Sequence, residues 1–393
     1  MSKDFVVIVN GARTPMGGLQ GDLALATAPE LGSAAIAAAV QRSGVDPADV
    51  DEVFMGCVLP AGLKQGPARQ AALGAGIPKD TGAVTLNKLC GSGMQATIFG
   101  HDSILAGTND VVVTGGMESM TNAPHLLPGA RGGVRSGHAT MYDHMFLDGL
   151  EDAYTGKAMG IFAQGTADDY GITREQMDAF AIESLTRAKT AIDDGSLTAE
   201  IAPVTITTRK GDTVISDDEQ PHKAQLEKIP KLRAAFVKDG SITAANSSSI
   251  SDGASALLMM RESEADSRGL APMARIIGHA RHSQHPSEFT VAPIGAMNKL
   301  FEKTGWSIDD IDLFEINEAF AMVTMLAINE MGLDHAKVNI HGGACAQGHP
   351  IGSTGSRIIV SLMYALKKHG KTRGVAALCI GGGEATAVAI ELI

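Results

Sequence analysis

The stretch GVDPADVDEVFMG from Gly44 recurs in altered form as GWSIDDIDLFEIN from Gly305. Gly44 aligns with Gly305, Asp49 with Asp310 and Asp51 with Asp312, with apolar matches at Val50/Ile311 and Val53/Phe314, all at an offset of 261 residues. Further on, VVVTGGMES ending at Ser119 aligns with ALCIGGGEA ending at Ala385, pairing Gly115 with Gly381 and Glu118 with Glu384 at an offset of 266. Two matches in the same order at nearly one offset constrain the fold more than any other feature: one unit is expected to occur twice.

The unit reads as α/β. Val/Ile-rich runs at Phe5–Val9, Val53–Met55, Val111–Thr114 and Val375–Ile380 alternate with Ala-rich helical stretches at Leu31–Ser43 and Ile358–His369. The 46 glycines gather at strand-to-helix joints, where backbone must approach backbone. Between the repeats, from about Thr121 to Asn246, the texture changes, with NAPHLLPGARGGVRSGH, the acidic SDDEQPHK and an amphipathic segment at Arg174–Asp193. Such an insertion is expected to cover a site formed by the duplicated core.

Composition narrows the classes of function. Apolar residues make up 44% and charged residues 19%, the balance of a globular chain with a large core. A formal charge of −12 without a basic block argues against non-specific nucleic-acid binding. No run of about twenty apolar residues is present to span a membrane. The four cysteines, Cys57, Cys90, Cys345 and Cys379, lie far apart with no metal-like spacing, and no secretory segment is read at the start, so a cytoplasmic location is expected. His125, His138, His144, His279, His282 and His285 likewise show no ligand spacing, and no metal is expected.

Four places carry chemistry-bearing residues. In NKLCGSGMQA, Cys90 precedes a glycine-rich helix entry, where unpaired amides favour thiolate, although a buried structural cysteine fits the same letters. In HGGACAQGHPIGSTGSR, His349 sits in a Gly/Pro turn from which an imidazole could act as base toward a thiol, or simply face solvent. In ALCIGGGEATAV, Cys379 ends an apolar strand, and the amide of Gly381 could stabilise an oxyanion, or the pair could be core and tight turn. In FEINEAFA, Asn317 could cap a helix or orient a water.

Taken together and in order, NKLCGSGMQA, GGMESM, NEAFA, GGACAQGHPIGSTG and CIGGGEATA resemble the thiolase family, nearest its acetyl-CoA acetyltransferase branch, from about Val6 to the C-terminus. The resemblance implies a five-layer αβαβα fold of two duplicated halves with mixed sheets and an inserted loop domain. An N-terminal domain over 1–270, with the loop domain at about 121–246, would precede a C-terminal domain over 271–393. It implies a ping-pong Claisen condensation of two acetyl-CoA to acetoacetyl-CoA and CoA, and the reverse thiolysis. Cys90 would be the acylated nucleophile, His349 its base and an oxyanion donor, Cys379 the proton acceptor and donor, Asn317 the holder of an oxyanion-hole water, and Gly381 a backbone oxyanion donor.

It further implies acyl-CoA and CoA as partners, no cofactor beyond the coenzyme A of the substrate, and a homotetramer or homodimer. Ser248, Phe236, Phe320, Phe289, Met159, His222 and Lys223 would contact the substrate. Several positions depart from the family's habit: His222 stands where Arg is frequent, with Lys223 or Arg209 to compensate; Ala158 precedes Met159 where acetoacetyl-forming relatives carry His; Phe289 replaces Met; Ser249, Ser251, Cys345 and Gln347 are also unusual. These leave a degradative 3-ketoacyl-CoA thiolase of longer or branched preference as the enzymatic alternative, and an acyl-CoA-binding thiolase-like protein as the non-enzymatic one.

Overall fold

The computed structural model describes residues 4–393; Met1–Lys3, the first residues of the expected N-terminal domain, lie outside it. The first half runs β1 (Val6–Arg13), β2 (Gly17–Gly18), α1 (Ala28–Ser43), β3 (Glu52–Gly56), α2 (Pro67–Gly74), β4 (Gly82–Leu86), α3 (Ser92–Leu105) and β5 (Val111–Ser119). The intervening segment holds β6 (His125–Leu126), β7 (Tyr142–Asp143), α4 (Met159–Asp169), α5 (Arg174–Asp193), the hairpin β8 (Val204–Thr208) and β9 (Gly211–Ile215), and α6 (Glu219–Lys223). The half closes with β10 (Ser251–Arg261) and α7 (Glu262–Ser267). The second half runs β11 (Ala274–Ser283), α8 (Ala292–Thr304), β12 (Leu313–Ile316), α9 (Ala321–Met331), α10 (Ala344–Gln347), α11 (Thr354–Lys368), β13 (Arg373–Ile380) and β14 (Glu384–Leu392).

The strand order is β12-β13-β14-β11-β1-β10-β5-β3-β4, mixed in direction, with β2 beside β10. Apart from β4, which has no counterpart, it is palindromic about the β11/β1 seam, where only Val7↔Arg275 and Ile8↔Ala274 pair. Helices α1 and α2 pack outside the first half-sheet and α8 outside the second, while α3 and α11 lie between the two. Those are the five layers of an αβαβα stack. The middle helix α11 is buried from Thr354 to Leu366, so its amphipathic pattern is overridden by a position with sheet on both sides. Each Ile or Leu it buries contributes about 1.5–3 kcal/mol.

The repeat has the same structural causes in each half. Gly44 and Gly305 end α1 and α8 in the same left-handed conformation, φ 74° and ψ 9°, open to glycine without strain. Asp51 Oδ2 accepts from the backbone N–H groups of Asp110 and Val111, and Asp312 Oδ2 from those of Thr372 and Arg373. Each aspartate thereby starts the central strand of its half.

The second sequence match is out of register. Val53 pairs with Val113 and its counterpart Phe314 with Val375, so β5 and β13 correspond at an offset of 262, not 266. Gly115 is therefore the counterpart of Ala377. Gly115 lies mid-strand, where a Cβ would fall 2.1 Å from the Ser255 carbonyl oxygen, while Gly381 follows the end of β13. The matching letters serve different backbone needs.

At the same 262-residue offset Gly93 corresponds to Gly355, and there α3 and α11 touch. A Cβ on Gly93 would lie 2.5 Å from Ser356 Oγ, and one on Gly355 2.4 Å from the Met94 backbone nitrogen. The intervening segment is tied to the core by Arg13, whose buried guanidinium pairs with Glu200 at 2.5 Å and Asp218 at 2.7 Å. Removing one member of such a buried set costs about 3–5 kcal/mol. Among the described residues no helix is long and apolar enough to cross a membrane.

Candidate active site

Cys90 lies at the mouth of α3, two residues before the first helical residue. The turn leading to it is tight: Asn87 Oδ1 accepts from the Leu89 N–H, and Ser92 Oγ accepts from the Lys88 N–H and donates to the Leu89 carbonyl. Leu89 adopts a φ of +48°, a left-handed conformation that costs a non-glycine residue on the order of 1 kcal/mol or more. The strained elbow was not apparent from the sequence; NKLC holds no glycine at that position to announce it.

The other candidate residues come from four places in the second half. His349 stands in the turn between α10 and α11, Cys379 near the end of β13, Gly381 in the turn to β14, and Asn317 just after β12. Cys90, His349, Cys379 and Gly381 line one cavity of about 550 Å³. Asn317 is 1% exposed and is not among the lining residues; neither of its side-chain atoms has a partner among the described residues. It does not cap a helix, because α9 starts four residues later with Phe320 at its cap.

The helix mouth was expected to favour thiolate, but burial outweighs it. Desolvation pushes the Cys90 thiol up to about 11, against the lowering effect of the Gly381 and Cys90 backbone N–H groups. Burial, and then the neighbouring Cys90, raise Cys379 well above its ordinary value. His349 is held down to about 3 by burial and by the Arg357 charge. The resting trio is therefore two thiols and a neutral imidazole. The His349 Nδ1 contacts Thr354 Oγ1 at 2.6 Å, and that hydroxyl donates to the Pro350 carbonyl; Nδ1 then carries the hydrogen and Nε2 is left as the base. Nε2 is buried without a partner among the described residues.

Glu118 has a part that sequence reading missed. Its fully buried carboxylate accepts from the N–H groups of Val58 and Leu59 in the first half and Gly352 in the second, with Cys57 Sγ at 3.6 Å. It straps the His349 turn to the half that carries Cys90. Burial raises it to about 7 despite those donors. Glu318 does the same for the other flank, accepting from Asn339, Ser184 and the Cys345 N–H. The signal for both was a carboxylate inside an apolar motif.

Of the expected substrate contacts, Met159, Phe236, Ser248, Phe289 and Phe320 line the cavity, with Ala158 and Ser249. The Phe236 and Phe320 rings meet edge-on at 6.1 Å. Ser248 donates from both N–H and hydroxyl to the Ala319 carbonyl. His222 and Lys223, the other two expected substrate contacts, lie outside that lining. Lys223 is held by Glu219 at 2.5 Å and Asp22 at 3.3 Å, because the Glu219 carboxylate also collects the Gly18 and Asp22 N–H groups and fixes this helix end. His222 is exposed, and the cavity wall is formed by Glu219 and Gln220 instead. Cys345 packs against Glu318 beneath the cavity, and Gln347 donates to the His341 carbonyl.

Comparison with known proteins agrees across the whole chain. Residues 6–263 match the family described as thiolase, N-terminal domain, and residues 270–392 that described as thiolase, C-terminal domain. An acetyl-CoA acetyltransferase of Chromobacterium violaceum is 46% identical, with 98% of this chain and 99% of that protein aligned. One of Rhizobium meliloti is 46% identical with both aligned over 100%. Among solved structures, the Acat5 thiolase of Ascaris suum in complex with coenzyme A superposes with a TM-score of 0.94 at 40% identity, covering 100% of both chains. The acetyl-CoA acetyltransferase of Bacillus anthracis gives 0.97 at 40% identity, covering 99% of each.

Proposed function

The chain belongs to the thiolase family, and on that premise we propose that it is an acetyl-CoA C-acetyltransferase, joining two acetyl-CoA into acetoacetyl-CoA and CoA and running the reverse thiolysis. The observation that carries the reading is the pair of thiols, Cys90 and Cys379, lining one cavity with a neutral imidazole. Because Cys90 and His349 both rest neutral, no ion pair is poised in advance. Proton transfer to His349 Nε2 accompanies attack of the sulfur on the thioester carbonyl. The oxyanion is received by the backbone N–H groups of Cys90 and Gly381, which already converge on the sulfur.

Collapse expels CoA thiolate, which takes up the proton from His349 and leaves acyl-Cys90. Cys379 then passes its thiol proton to the neutral His349 Nε2, and the thiolate so formed takes an α-proton from a second acetyl-CoA. The enolate oxygen is held by the protonated His349 and a water on Asn317, its carbon attacks the acyl group to give the 3-ketoacyl-CoA, and the departing Cys90 thiolate takes the proton back from His349. The α-proton of a thioester is weakly acidic, so abstraction needs both a thiolate base and donors set in advance at the developing charge. Burial makes deprotonation of Cys379 costly, so that thiolate exists only transiently, beside the imidazolium that has received its proton.

The apolar wall of Phe236, Phe289 and Phe320 suits the pantetheine arm and a short acyl group. Thiolysis of a 3-ketoacyl-CoA series with free CoA, from acetoacetyl upward and including a 2-methyl-branched member, tests the reading. Acetoacetyl-CoA should be fastest, and Cys90→Ala should lower the rate by about 10⁴-fold or more. Faster turnover of longer or branched members would move the assignment to a degradative thiolase, and no turnover by the wild type would favour an acyl-CoA-binding protein. Cytoplasmic residence, supported by four unpaired cysteines, belongs to the same proposal. So does a homotetrameric or homodimeric assembly in fatty-acid metabolism, which light scattering on the purified chain would test as to size.

A further inference from the structure

At the far end of α3 from Cys90, three side chains separated in sequence converge. His101 and Asp102 lie on α3 and His279 on β11 of the other half. Asp102 Oδ1 is 3.0 Å from His101 Nδ1 and 3.0 Å from His279 Nε2, and one ligand atom from each residue lies within 4.8 Å of the others. The two imidazole rings meet edge-on at 4.9 Å. Both histidines are nearly buried, while the Asp102 side chain is 45% exposed, so the cluster opens to solvent on the carboxylate side.

We propose that His101, Asp102 and His279 form a divalent-metal site of zinc type that staples α3 of the first half to β11 of the second. Two neutral imidazoles and one carboxylate are a familiar zinc donor set, and tetrahedral coordination leaves the fourth position to water from the exposed side. Neighbouring ligand atoms around a tetrahedral zinc stand roughly 3.3 Å apart for bonds of about 2.0 Å. The two 3.0 Å separations from Oδ1 therefore need only a small outward shift, with the metal taking the place of the hydrogens now shared with that oxygen. The charges are disposed to allow this. Arg281 lies 3.8 Å from Oδ2, the oxygen turned away from the imidazoles, and its side chain is 48% exposed and free to withdraw. Lys303 is committed to the His279 carbonyl at 3.1 Å.

The 177-position separation of Asp102 and His279 explains why ligand spacing in the sequence did not reveal the cluster. Its two sides come from different halves, so a bound cation would oppose their separation and stabilise the fold by mass action. The site is remote from the thiols in function: none of its residues lines the cavity.

The test is titration of the metal-stripped full-length protein with Zn²⁺ and Co²⁺, alongside His279→Gln and Asp102→Asn. The wild type should bind one ion per chain, raise its Tm with Zn²⁺, and give Co²⁺ d–d bands without the thiolate charge-transfer band that Cys90 or Cys379 would produce. Each variant should bind at least about tenfold more weakly, since even outer-shell changes cost that much. Asp102→Asn preserves shape at an exposed position and guards against misfolding of the histidine variant. Absence of binding by the wild type, a thiolate band, or undiminished binding in both variants would overturn the proposal.

Discussion

The mouths of α3 and α11 are the same structure used twice, and they differ where chemistry is needed. At the 262-residue offset, Cys90 of the first half corresponds to Gly352 of the second, Met117 to Cys379, and Glu118 to Ile380. Each strand end touches the helix mouth of the opposite half. Glu118 accepts from the Gly352 N–H, and Ile380 lies so close to Gly91 that a Cβ there would fall 2.3 Å from its Cδ1. One crossing is a hydrogen-bonded strap and the other an apolar contact. Duplication supplied two helix mouths facing each other across a rigid middle layer. The departures from symmetry then put one thiol in each half, with the remaining groups on the second.

If the asymmetry divides the labour as proposed, removing the second thiol should separate the two half-reactions. Cys379→Ala should lower condensation by about 10²–10⁴-fold, the usual worth of a positioned proton-transfer group. Acetylation of Cys90 by acetyl-CoA should persist, read as a mass increase on the intact chain. Condensation at the wild-type rate would place the proton relay elsewhere.

The polar strap should matter more than its apolar counterpart. Glu118→Gln replaces one acceptor oxygen by a donor facing N–H groups, and loosening the His349 turn by the order of an ångström should cost about 10²-fold in kcat. A pH signature accompanies it. The folded-state value of Glu118, about 7, lies above its ordinary 4.5, so the stability it contributes is full below about 4.5 and lost as pH rises through about 7. Between those limits Tm should decline less steeply in the variant than in the wild type; identical slopes would show that Glu118 does not titrate there. His279 and His341, both held down to about 4, contribute in the opposite sense, but equally in both proteins.

The symmetric part of the comparison predicts the smallest and most even effect. Gly93→Ala and Gly355→Ala each place a methyl against backbone of the partner helix, and each should destabilise by about 1–3 kcal/mol, measured by urea unfolding. A large difference between the two would mean that the helix crossing is not two-fold in its energetics.

Much of this was legible in the letters. The repeat at Gly44/Gly305 and Asp51/Asp312 survives because each half needs the same helix stop and the same carboxylate at the start of a strand, and the thiols, His349 and Gly381 stand in short motifs that carry their own turns. The second match was misjudged because GG before a Glu satisfies two unrelated backbone needs, a crowded strand at Gly115 and an open turn at Gly381. The direction of Lys223 was not legible because it is held by Glu219 and Asp22, the latter about 200 residues away.

By itself the sequence determined that one α/β unit occurs twice with an insertion, and that two thiols, an imidazole and exposed amides stand at the ends of its elements. Those are properties of residue type and short-range backbone geometry. Only the tertiary structure decided that the thiols rest protonated beside a neutral His349, that Glu118 straps the halves together, and that His101, Asp102 and His279 meet. Desolvation and cross-half contact are sums over residues hundreds of positions apart, and no local pattern encodes them.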